Sequence, residues 1–330
     1  MDAQSPGSAV DRTAGAWLEY FPVNFFATVM GLSGMTLATL RLEGAAHLTH
    51  AASSTFLAIT VGVLAGSLML YGLKALRYPK AVAADWHHPV KIAFFPAISI
   101  GLILTGSAMS VLWPLPAKTV WATGAFLHFV FTLGVVSAWI SHRPFESVHL
   151  TPAWFIPAVG NVLVPIAGVS FGYVELSWFF FSVGIVFWIV LLTLIFNRLV
   201  FHNPIPERLL PTLVILIAPP SVAFIAWMQL SPELDAFGRI LYFSAVFFAA
   251  VILLQIRKLV RLPFSIAWWA YSFPLAGFTV ATFIYVDAAH HTQGGILAGI
   301  AAYATLALVI FVLLARTTLA ALRGEICRPE

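Results

Sequence analysis

The sequence predicts an all-α membrane protein: ten transmembrane helices, paired as five helical hairpins in a quasi-fivefold arrangement around a central pore. Three observations lead there. First, 61% of the 330 residues are apolar and only 9% are charged, with a mean hydropathy of +0.95, whereas a soluble domain is about 25% charged. That balance leaves too few polar side chains to cover a water-facing globule. It excludes a cytosolic enzyme, a nucleic-acid binder and a disordered chain. Second, the apolar residues fall into ten continuous runs, each near the about 20 residues that a spanning helix needs. A membrane barrel would show short alternating segments instead. Third, proline occurs on alternate runs only.

The runs follow in order. The first, 21–40, opens on Phe21-Pro22 and stops at Arg41; the second, 53–73, stops at Lys74. The third, 92–112, begins after Lys91 and carries Pro96. The fourth, 118–140, begins on Lys118, holds His128 and stops short of Arg143. The fifth, 153–172, carries Pro157 and Pro165, and the sixth, 176–197, stops at Arg198. The seventh, 209–230, follows Arg208 and carries Pro211, Pro219 and Pro220. The eighth, 237–256, stops at Arg257 and Lys258; the ninth, 264–286, carries Pro274; the tenth, 295–315, stops at Arg316. Residues 1–16 lack the apolar core of a signal peptide and are expected to form a flexible cytoplasmic tail. The channel-forming part is then 17–316, and 317–330 form a second cytoplasmic tail.

The links differ in charge. Arg12 and the links after even runs hold most of the basic residues, leaving only Arg41, Lys118 and Arg239 for the other face. The excess of Lys and Arg marks the cytoplasmic side, so both termini are placed there. Net charge +4 is then a feature of loops rather than a sign of nucleic acid. Cys327 is the only cysteine, so neither an intrachain disulfide nor a cysteine metal cluster can form.

Proline marks a repeat. One proline from each odd run (Pro22, Pro96, Pro157, Pro219, Pro274) recurs about every 60 residues. Proline removes a backbone hydrogen bond and bends a helix. In a membrane that loss is tolerated where protein or a watery cavity satisfies the freed group. Odd helices are therefore expected inside, around an axis, with even helices outside facing lipid. Small and hydroxylated residues on the odd runs, among them Gly31, Ser33, Gly34, Ser107, Gly277 and Thr279, suit close packing or a narrow polar conduit.

Charge within the runs is confined to Lys118 and Arg239, each in a first turn. Pumps and ion-coupled carriers need a titratable or cation-binding group at mid-depth, so this pattern suits passive flow. His128 lies deep in an even run and reads as hydrogen-bonded between helices. Gly31-Leu32-Ser33-Gly34 has the look of an intramembrane serine protease motif, but the serine would need a base within reach, and only His128 is deep enough. The pairs His87-His88 and His290-His291 are weak metal signals. No cofactor, no metal and no enzymatic activity are expected. Phe273 directly precedes the Pro274 bend on an inner run, where its ring could plug the axis.

Several stretches, in order, resemble one family. Ala267-Trp268-Trp269-Ala270-Tyr271-Ser272-Phe273-Pro274-Leu275 resembles the ninth helix of the slow-type anion channels of plant guard cells, a family that includes the bacterial TehA (tellurite-resistance) proteins and dicarboxylate transporters. Phe21-Pro22-Val23-Asn24-Phe25-Phe26 through Gly31, His88-Pro89-Val90-Lys91, Thr151-Pro152 through Asn161, and Ala218-Pro219-Pro220-Ser221 are similar to further parts of it. The likeness covers residues 20–316. It implies a homotrimer in membrane lipid, passing small inorganic anions such as chloride and nitrate through a pore in each subunit. It also implies a gate at Phe273, faced by Gly31 from the first helix, with Pro22, Pro96, Pro157, Pro219 and Pro274 supporting the pore. The long charged terminal regions of the plant channels are missing, which favours the shorter bacterial-type form in the inner membrane. The alternative is a secondary carrier for dicarboxylates or tellurite-related oxyanions. A membrane enzyme or sensor would need a clustered catalytic set or bound haem.

Overall fold

A computed structural model describes residues 16–141, 145–290 and 293–327. The expected N-terminal tail and the basic residues Arg12, Arg143 and Arg328 lie outside the described residues, as does His291. Among the described residues the chain is helical throughout, without strands. Ten helices form its body: α1 (Val23–Ala45), α2 (Ala51–Arg77), α3 (Lys91–Leu112), α4 (Pro114–Ile140), α5 (Pro152–Gly168), α6 (Val174–Phe201), α7 (Glu207–Leu230), α8 (Ala236–Leu254), α9 (Ile266–Ala288) and α10 (Gly294–Leu322). All but the shorter α5 are long and apolar enough to cross a membrane. A short helix, Pro79–His87, links α2 to α3.

Burial separates the two sets. The most apolar stretch of α1, α3, α7 and α9 is 61–94% buried, against 22–33% for the even helices. Each odd helix touches the next, and α9 returns to α1, so the five close on themselves. Each even helix packs against the two odd helices beside it, with α10 bridging α9 and α1. The even helices leave Ile189, Phe247, Leu297 and Phe311 exposed. An apolar outer surface of that extent belongs in lipid.

Every odd helix is composite. In α1 a 3-10 stretch, Val23–Phe26, precedes the α-helical Ala27–Ala45; in α3, Lys91–Phe94 precedes Pro96–Leu112. In α7 the 3-10 part is Glu207–Ile217, and in α9 it is Ile266–Tyr271. Pro96, Pro219, Pro220 and Pro274 stand within the first three residues of the α-helical parts that follow. Proline costs little there, because first-turn N–H groups have no partner within the helix. The expected bends with freed groups are thus changes of helix type. Pro22 stands just before its 3-10 stretch, and its carbonyl accepts from the Phe25 N–H at 3.1 Å. Pro157 lies in the first α-helical piece of α5, which reverts to 3-10 at Gly160.

Three expectations need correction. Proline is not confined to odd helices: α4 starts at Pro114 and takes in Pro116, both in its first turn. Helix α10 continues to Leu322, past the expected boundary at 316, and Thr317 there accepts a hydrogen bond from Trp269 Nε1 at 2.9 Å. Charge is also more frequent than expected, because the helices run longer than their apolar cores. Glu43, Lys74 and Arg198 are buried near helix ends. Lys74 Nζ lies 2.6 Å from Asp85 Oδ2 and donates to the Phe21 carbonyl at 3.0 Å, while Lys91 Nζ lies 3.2 Å from Asp85 Oδ1. This cluster pins the α2–α3 link to the start of the first hairpin.

Candidate functional site: an axial cavity

A cavity of about 590 Å3 lies inside the ring, and every odd helix contributes to its wall. The contributions share one spacing. From each helix the wall takes a residue and those three and seven positions further on: Gly34, Leu37 and Arg41; Leu104, Ser107 and Val111; Leu163, Ile166 and Ser170; Val222, Ile225 and Gln229; Phe273, Ala276 and Val280. That spacing lies on one face of a helix. The first members of the five stripes are Gly34, Leu104, Leu163, Val222 and Phe273, and of these only Phe273 carries a ring. At the other end Arg41, His50, Val111 and Ser170 are exposed, so the cavity widens there.

Phe273 is the second residue of the α-helical part of α9. The glycine beside its ring is Gly34, where an added Cβ would come within 3.7 Å of Phe273 Cδ2 and 2.6 Å of the Ala276 Cβ. Gly31 lies one turn earlier. A Cβ on Gly31 would collide with the Ser272 side chain and come within 3.1 Å of Trp269. The resemblance placed Gly31 opposite Phe273; the structure gives Gly31 to the α1–α9 packing and puts Gly34 in the cavity wall. None of Pro22, Pro96, Pro157, Pro219 and Pro274 lines this cavity. They mark where its helices change type.

The other singled-out residues lie elsewhere. Ser33 Oγ lies 3.1 Å from Thr105 Oγ1, and the Nδ1 of buried His128 lies 2.9 Å from Ser99 Oγ. His128 Nε2 has no hydrogen-bond partner and is packed against Gly160. One turn on, Thr132 Oγ1 donates to the Pro157 carbonyl at 2.7 Å and accepts from Asn161 Nδ2 at 3.1 Å. These side chains serve backbone groups that the 3-10 piece of α5 leaves outside α-helical bonding. Among the described residues, no three His, Cys, Asp or Glu are grouped to hold a metal. Sequence reasoning missed Leu104, Leu163 and Val222. The signal was present as a common three-and-seven spacing, hidden because neighbouring faces of the odd helices are equally apolar.

The buried helices of this all-helical chain, most of them long and apolar enough to span a membrane, enclose an axial cavity within one chain, the architecture of a multi-pass membrane protein. Residues 20–318 match the model of the SLAC1 family, described as voltage-dependent anion channels, and the chain belongs to that family. It is 29% identical to the S-type anion channel SLAH2 of Arabidopsis thaliana over 276 residues, 81% of this chain and 53% of that one. It is 27% identical to the tellurite resistance protein TehA homolog of Haemophilus influenzae over 290 residues, 86% of this chain and 85% of that one. An uncharacterised transporter of Methanocaldococcus jannaschii is 26% identical over 293 residues, 81% of this chain and 85% of that one. The chain spans about half the length of the plant relatives SLAH2 and SLAH3.

Proposed function

We propose that each chain is a passive channel for small monovalent anions such as chloride and nitrate, with Phe273 as its gate. The observation that carries this reading is the cavity wall: one stripe from each of five helices, ending on a layer with a single aromatic ring. A rotamer change of that ring would open the path without moving a helix. An apolar constriction selects by dehydration cost together with a mild positive potential, so larger, weakly hydrated anions pass at least as readily as chloride. No carboxylate lines the cavity among the described residues, which favours passive flow over proton-coupled carriage of dicarboxylates or oxyanions. The basic links support cytoplasmic termini in the plasma membrane, the inner membrane of a bacterium. The family resemblance supports a homotrimer with one pore per subunit.

Electrophysiology with ion substitution tests the reading. Phe273→Ala should raise anion current at least about tenfold, the equivalent of removing about 1.4 kcal/mol of barrier. An unchanged current would remove Phe273 from the gate. Saturable, proton-dependent uptake in place of ohmic current would establish the carrier.

A further inference from the structure

We infer that Arg41, beside His50, forms an anion-capture site at the wide mouth of the cavity. The inference rests on the channel reading and names the groups that recruit the anion. The mouth lies at the C-terminal ends of the odd helices, where each macrodipole presents roughly half a negative charge. Left bare, such a mouth would repel anions. Arg41, near the end of α1, and His50, just before α2, are the charged or titratable residues that line the cavity, and both are exposed. The carboxylates of the region stand behind the wall. Asp287, near the end of α9, is close enough to Arg41 to interact with it, and neither Asp287 nor Glu43 lines the cavity.

His50 is held in place. Its Nδ1 lies 3.2 Å from Glu43 Oε2. Glu43 is buried and accepts from the N–H groups of Ala52 and Ser53, each at 3.0 Å, and from the Ser53 hydroxyl. The groups facing this mouth are then few. Helix α1 brings Arg41 and Glu43, α9 brings Asp287, and His47 shares the loop with His50. Helices α3 and α7 bring the uncharged Ser110 and Gln229, and the turn after α5 brings Ser170. Arg41 is then the cation on the cavity side, while Glu43 and Asp287 stand behind the wall.

The test uses the full chain in planar bilayers, in the Phe273→Ala background so that current is measurable, with chloride as the probe. Arg41→Gln should lower conductance about two- to threefold at about 0.01 M chloride, where the screening length is about 30 Å. The difference should vanish at about 1 M, where that length is about 3 Å. Arg41→Lys should keep the parent value. Parent-like conductance in Arg41→Gln at every chloride concentration overturns the site while chloride current upholds the channel. Nitrate stabilisation of the purified protein against heat separates the remaining case. If no current flows but Arg41→Gln needs more nitrate for the same stabilisation, the site stands and the channel reading falls.

Discussion

Two glycines on one helix face divide the labour between packing and passage. Gly31 and Gly34 both meet α9, but Gly31 accommodates Ser272 and Trp269, and Gly34 the Ala276 methyl and the edge of Phe273. Gly31→Ala is therefore expected to act as overpacking, costing about 1–3 kcal/mol. It should lower the melting temperature in detergent and leave the current per folded molecule unchanged. Gly34→Leu should refill the wall beside Phe273, so that adding it to Phe273→Ala brings the current back down; undiminished current in the double variant would take Gly34 out of the path. The position of Phe273 in the cavity wall was suggested by its place before Pro274, and its role as a gate is what the current of Phe273→Ala tests. The facing glycine was misplaced by one turn, because residues three apart share a helix face and only the partner helix decides their depth.

Among the helices, those next to the cavity are the irregular ones, and side chains repair what their backbones leave open. Thr132 of α4 is the clearest case: its hydroxyl reaches the Pro157 carbonyl across to α5. Thr132→Val keeps the shape and removes the hydroxyl that reaches both the His128 and the Pro157 carbonyls, at a cost of about 1–3 kcal/mol. Thermal unfolding in detergent should show the loss, and an unshifted melting curve would mean that the bond contributes nothing. Proline alternation made the two helix sets legible in the sequence. The 3-10 stretches were not legible, because hydropathy is the same for either helix type. Pro114 and Pro116 were left out of the fourth run because they precede its apolar core and sit in a first turn that accepts proline.

For the whole molecule, sequence and structure agree on which helices are buried, because apolar length and proline position act on every hairpin alike. What escaped the sequence is how the ends are tied. Lys74 is buried against Asp85 and the Phe21 carbonyl and so ties the α2–α3 link to the first hairpin. Lys74→Met should destabilise by about 3 kcal/mol, the low end for breaking a buried pair, since Lys91 still faces Asp85. The expected readout is a lower melting temperature and a smaller monodisperse fraction on size exclusion. Closure of the ring by α9 on α1 has a further consequence for any assembly. Each copy owns a complete wall, so blocked and working copies mixed in one oligomer should subtract from the total strictly in proportion to their dose, with no poisoning of neighbours.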